Sequence, residues 1–214
     1  MQPETKFARL GRGRIAYQAI GEGPPDLVMT GGSFGRVDIV WEDPGVALFL
    51  RSLASFSRLI RFNRRGTGAS DPLPSDPLPP WELYAEDLVA VLDEVGSEQA
   101  ALLAQVDASP MALSFASTRP MRTSALILAN CTAKFLAADD YSIGAPPEVA
   151  EALLARTDQF WGTEDMAATY VPSRAGDERF LRWYAKFQRT AASPRAVQAF
   201  CAPCSKSTHA PSCR

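Results

Sequence analysis

The sequence predicts an α/β fold: a mostly parallel sheet flanked by helices, with a partial helical cap. Three observations carry the prediction. Short apolar strands alternate with amphipathic helices from residue 14 to residue 130, the pattern of a parallel sheet covered on both faces. The segments between them carry glycine and proline turns. Beyond Cys131 the alternation stops and only helical periodicity remains.

Taken in order, residues 14–20 (RIAYQAI) alternate as a strand does and are closed by Gly21-Glu22-Gly23-Pro24-Pro25. Residues 26–30 (DLVMT) form a short apolar strand that runs into Gly31-Gly32-Ser33-Phe34-Gly35. Helical spacing follows over 46–55, after Pro44, read as a breaker. Residues 58–62 (RLIRF) are a strand closed by Arg65-Gly66-Thr67-Gly68. Residues 71–80 hold five prolines and read as a surface loop. The strongest helix spans 81–95, its inward set Trp81, Tyr84, Leu88, Val91, Leu92 and Val95, and Gly96 stops it. Residues 99–106 read as a buried strand, 110–118 as a helix with Pro110 in its first turn, and 124–130 as another buried strand. Amphipathic helices are expected at 148–160, 178–190 and 193–200. The tail CAPCSKSTHAPSCR has no periodicity and reads as disordered. The domain reading is therefore a core over 1–136, a helical cap over 137–200 and a tail over 201–214.

Composition excludes several classes. A net charge of -2 on 214 residues offers no basic surface for nucleic acid or an anionic membrane. No apolar run approaches the ~18–20 residues of a membrane helix. The opening MQPETKFARLGRGR has no apolar core of an export signal, so the expected location is cytoplasmic. Of the four cysteines only Cys131 lies in the body of the chain, which suits a reducing compartment.

Four stretches, in order, resemble the α/β-hydrolase family. They are the strand ending at Gly31-Gly32, the turn Phe62-Asn63-Arg64-Arg65-Gly66-Thr67-Gly68-Ala69-Ser70, the segment Ala104-Gln105-Val106-Asp107-Ala108, and Thr118-Arg119-Pro120-Met121-Arg122-Thr123 before a strand. Trp41-Glu42-Asp43-Pro44, residues 53–58 and Trp183-Tyr184-Ala185-Lys186 look like the hydrolase-like domain found fused to nucleotide cyclases. The resemblance implies a backbone oxyanion donor near Gly31 and Gly32, a structural turn held by Arg65, Gly66 and Gly68, and a nucleophile elbow at 104–108.

The departures bear on activity. An elbow reads Gly-x-Ser-x-Gly, with the nucleophile on a strained strand-to-helix turn. Here the nucleophile position matches Val106, which has no lone pair to use, and Ala104 and Ala108 replace the glycines. Asp107 could serve only if the register slipped by one, and Ser109 belongs to the start of the following helix. A Ser or Asp nucleophile also needs a base that titrates near neutrality. The one histidine is His209, the sixth residue from the C-terminal end, in a segment unlike the family's. The resemblance further implies that the last strands of the fold and their acid and histidine are missing, as in a truncated chain.

Other constellations are weaker. Cys201, Cys204, His209 and Cys213 approach zinc-knuckle spacing, but the segment lacks the glycine and aromatic residues that shape such a loop, and a chance cluster is the plainer reading. Gly66-Thr67-Gly68 has no following Lys-Ser/Thr, so nucleotide binding is not expected. Arg61 and Arg64 are expected to face solvent. Trp183, Tyr184 and Phe187 have the spacing of packing residues.

The leading functional expectation is a hydrolase-like protein without a working triad, a pseudoenzyme with no cofactor, that binds a small apolar ligand between sheet and cap. The alternatives are an ester or amide hydrolase with an atypical nucleophile, and a non-catalytic interaction module. With its outer neighbour missing, the 124–130 strand becomes a sheet edge, and self-association through Ser124 to Asn130 is expected.

Overall fold

The computed structural model describes residues 2–30, 35–73, 81–132 and 136–198, with the backbone alone at 81 and 82. The chain divides into two compact units, Met1–Cys131 and Thr132–Arg214.

The first unit is built on a mixed, mostly parallel sheet. Its strands among the described residues are β1 Lys6–Leu10, β2 Gly13–Ile20, β3 Asp26–Thr30, β4 Arg58–Phe62, β5 Ala100–Gln105 and β6 Thr123–Ala129. Their order is β1-β2-β4-β3-β5-β6. The β1–β2 and β2–β4 pairs are antiparallel; β4, β3, β5 and β6 run parallel. The helices of this unit are α1 Pro44–Ala54, α2 Trp81–Glu94 and α3 Ser109–Thr118.

Adjacent strand residues face opposite sides of a sheet, which fixes the layers. Gln18 Oε1 accepts from Trp41 Nε1 at 2.8 Å, in the turn that leads into α1. Its neighbour Tyr17 faces α2: burial, and then the negative charge of Glu94 on α2, push its phenol above the ordinary range. So α1 lies on one face and α2 on the other, with α3 packed on α2. On the α2 face, Ile60, Val28 and Leu102 stand side by side across three strands and are fully buried. The corresponding row on the α1 face is Gln18, Arg61, Met29, Leu103 and Ile127. Along it Gln18, Met29 and Leu103 are buried and Arg61 is half-buried, whereas Ile127 is 47 % exposed.

Several expectations are corrected. β1 was not foreseen; its sequence KFARL hides only Ala8, so it carries little apolar signal and is held by its hairpin to β2. Pro44 opens α1 rather than preceding it: Asp43 caps the helix, accepting from Val46 N at 2.9 Å, and a proline in the first turn lacks only an N–H that would find no helical partner. β6 is not buried. Ile127 and Leu128 point to opposite faces and are 47 % and 46 % exposed; among the described residues β6 lies at the end of the sheet and pairs with β5 alone.

The second unit contains α4 Pro147–Phe160, α5 Glu164–Tyr170 and α6 Glu178–Ala191, followed by helical residues 194–198. α5, of two turns, was missed; Thr163 starts it by accepting from Met166 N at 3.2 Å. Phe180 and Leu181 of α6 pack on Ala167 of α5. Trp183 and Phe187 stack at 5.3 Å between ring centroids, and burial pushes the Tyr184 phenol up to about 12.

Candidate functional site

At the C-terminal end of β5 the chain turns sharply into α3. Val106 does not continue the strand. It takes φ +52°, opens a three-residue turn with Asp107 and Ala108, and leaves its side chain 55 % exposed. A β-branched residue in the left-handed region is a backbone outlier, at a cost on the order of 1–3 kcal/mol. The turn holds because the residues around it are fixed. Ala104 and Ala108, at the positions of the elbow glycines, are fully buried, so a methyl fits at both. Ser109 is buried, and its Oγ donates back to the Val106 carbonyl at 3.0 Å.

Asp107 is turned toward the β4 side. Arg64 Nη2 donates to Asp107 Oδ2 at 2.8 Å. The Arg64 side chain is only 3 % exposed, and its guanidinium carbon lies 5.6 Å from the Tyr84 ring centroid. The expectation that Arg64 faces solvent is therefore corrected: a carboxylate at the elbow and an aromatic ring on α2 supply what water would have. Burial, opposed by the nearby Arg64 cation, pushes the Tyr84 phenol up to about 12.

Arg65 anchors the neighbouring turn. Its Nε donates to Asp87 Oδ1 at 2.6 Å and its backbone N to Asp87 Oδ2 at 2.8 Å. Asp87 on α2 is fully buried, and burial raises its carboxyl although these two donors pull it down. Gly68 needs its φ of +56°, and a Cβ there would collide with the Asn63 carboxamide. Asn63 is the residue that sequence reasoning passed over. Its Oδ1 accepts from Val37 N at 3.2 Å and Ala69 N at 3.3 Å, and its Nδ2 donates to Gly35 O at 2.6 Å. It ties the segment after β3 to the turn after β4. Its place at the start of the Asn-x-Arg-Gly turn was the available signal.

Arg61 is corrected too. It is half-buried on the α1 face, and its Nε and Nη1 are enclosed without a hydrogen-bond partner. Loss of water around the guanidinium lowers it to about 10. Cys131 is a free thiol whose Sγ approaches Ala104 O at 3.3 Å. Gly31 and Gly32, the oxyanion candidates, and Cys201, Cys204, His209 and Cys213, the zinc candidates, lie outside the described residues. Among the described residues no group of three His, Cys, Asp or Glu side chains could hold a metal ion, and no helix is long and apolar enough to cross a membrane.

An open groove of about 440 Å³ lies at the other end of the sheet, lined by Pro24, Asp26, Arg58, Gln99 and Ser124. These residues sit at the N-terminal ends of β3 to β6, whereas open α/β sheets bind ligands at the C-terminal ends. Its charged groups satisfy each other: Arg58 Nε and Nη2 donate to the two Asp26 oxygens at 2.7 and 2.6 Å. The elbow, not this groove, is the candidate site.

No family model matches the sequence, and no curated protein matches it. Solved structures do. A hydrolase from Pseudomonas aeruginosa PA01 superposes with a TM-score of 0.69 at 18% identity, over 95% of this chain and 73% of that one. An esterase from Exiguobacterium antarcticum gives 0.70 at 20% identity, over 92% and 72%. The enol-lactonase from Burkholderia xenovorans LB400 gives 0.64 at 17% identity, over 94% and 72%. The fold is thus that of the α/β-hydrolases. At these identities the likeness concerns the fold and leaves this chain's chemistry open.

Proposed function

We propose that this chain is a hydrolase-fold protein without hydrolase turnover, which binds a small apolar ligand against the elbow. The observation that carries the reading is Val106. It has the position and the left-handed backbone of an elbow nucleophile, yet it presents two methyl groups. The neighbouring side chains do not replace a nucleophile. The Asp107 carboxylate accepts from Arg64 through Oδ2 at 2.8 Å, and an ion pair of this kind stabilises the carboxylate's charge and so weakens it as a nucleophile. The Ser109 hydroxyl donates to a backbone carbonyl at 3.0 Å and has no base in that contact. An exposed valine at the strand end favours an apolar ligand. The closer likeness to cyclase-fused domains rests on the sequence stretches named above and would suit a ligand-sensing role.

The test is hydrolysis and binding of a short-chain nitrophenyl ester. We expect no enzyme-dependent release of nitrophenol, in the wild type or in Val106→Ser, because a serine without an aligned base stays protonated. We also expect measurable binding that Val106→Asp weakens. A hydrolysis rate abolished by Asp107→Ala or Ser109→Ala would overturn the reading in favour of an atypical nucleophile. Absence of binding would leave an interaction module as the better description.

A further inference from the structure

We propose that two copies of this chain pair edge to edge through β6, antiparallel, about a two-fold axis at Leu126. The inference is independent of whether the elbow is catalytic.

β6 ends the sheet, bonded to β5 on one side; among the described residues no strand pairs with its other side. Strands of a parallel sheet are ordinarily covered on both faces, but Ala125 and Ile127 on the α1 face and Leu128 on the opposite face are all exposed. Residues 123–131 contain no charge and no proline, the devices that usually blunt a free edge. The result is an open row of backbone donors and acceptors flanked by apolar side chains.

Charge and size select the occupant and its direction. A parallel, in-register pairing of two copies would set Arg122 against Arg122. The antiparallel pairing centred on Leu126 sets Arg122 against Asn130, Thr123 against Ala129, Ser124 against Leu128 and Ala125 against Ile127. Like charges no longer meet, and the large side chains Ile127 and Leu128 each lie opposite a small one on the same face. Arg122 is in addition already held by Asp93 Oδ1 at 2.8 Å and the Ser97 carbonyl at 2.9 Å. The pairing is isologous and closes after two copies. It also runs the exposed Ala125–Ile127 row of one copy into that of the other.

Sedimentation of the full chain over a range of concentrations tests this. We expect a dimer that dissociates on dilution. Ile127→Lys, and separately Leu128→Lys, should weaken it on the order of tenfold or more. Met121→Lys is the control, at an apolar residue 82 % exposed but outside the strand, and should leave it unchanged. Circular dichroism reports whether each variant is folded; the two lysine variants lie on opposite faces, so one can fail without voiding the test. In a background with Cys131, Cys201, Cys204 and Cys213 changed to serine, Leu126→Cys should form a disulfide with its own copy. Ser124→Cys should not, its counterparts being separated by roughly four strand residues, about 13 Å. A monomer at every concentration, equal weakening by Met121→Lys, or no Leu126→Cys cross-link would each overturn the proposal.

Discussion

At the scale of single residues, Val106 and Arg64 show how far type and position diverge from environment. Valine is a strand former, and β5 would have been the natural place for it; the descent into α3 instead puts it at φ +52°. Its side chain is largely in solvent, so it returns little burial for that backbone. Val106→Gly is therefore expected to stabilise the protein by about 1 kcal/mol, the relief of strain exceeding the entropy that glycine loses on folding. Denaturant unfolding checks this. A destabilised glycine variant would mean that the valine methyls pack in the native state. Arg64 is the converse case. An arginine between two polar neighbours in a glycine-containing turn reads as a surface residue, yet it is 3 % exposed, between Tyr84 on α2 and Asp107, 43 positions later, which folds back onto it. Nothing local in the sequence announces that pairing.

At the scale of elements, periodicity located the helices and strands that bury a face and missed those that do not. α2 was read within a residue of its end, because Tyr84, Leu88, Val91 and Leu92 repeat at helical spacing and are all buried. β1 buries one residue and α5 spans two turns, too little for a pattern to register. The start of α1 depended on Asp43 serving as a cap, which turned Pro44 from a stop into a first residue. The junction of β3 and β4 carries a pH dependence. Arg58 holds the Asp26 carboxyl below the ordinary carboxylate range, chiefly by hydrogen bonding, against the opposing effect of burial. A carboxyl depressed in the folded state contributes stability above its unfolded value of about 3.9 and loses it as pH falls through the lower folded value. Asp26→Asn should therefore be less stable than the wild type at neutral pH and decline less steeply on acidification below about pH 4. Equal acid slopes for the two proteins in chemical denaturation would show that the pair contributes nothing. The buried Asp87, whose carboxyl is raised, acts in the opposite sense and is present in both proteins.

At the scale of the whole molecule, two units are stabilised by different means: the first by a sheet with α1 on one face and α2 and α3 on the other, the second by helix-on-helix packing around Phe180 and Leu181. The tail from residue 201 is short and polar and carries no periodicity, so it offers little apolar area to either. Deleting residues 201–214 is expected to leave the melting curve nearly unchanged, with or without a zinc chelator. A large loss of stability, or stoichiometric zinc retained through chelation, would establish a metal centre at Cys201, Cys204, His209 and Cys213.

What the sequence determined by itself was the α/β architecture, the approximate limits of most strands and helices, and valine at the elbow position. All three follow from local pattern: alternation of apolar residues, turn chemistry and residue identity within a few positions. What only the tertiary structure decided was the environment of those residues. The Arg64–Asp107 pair, the Asn63 tie between two loops, the enclosure of Arg61 Nε and Nη1 and the exposure of both faces of β6 arise between segments distant in sequence. Local spacing says which way a side chain points along its own element. Whether it finds a partner, a neighbour or water there depends on the packing of the other elements.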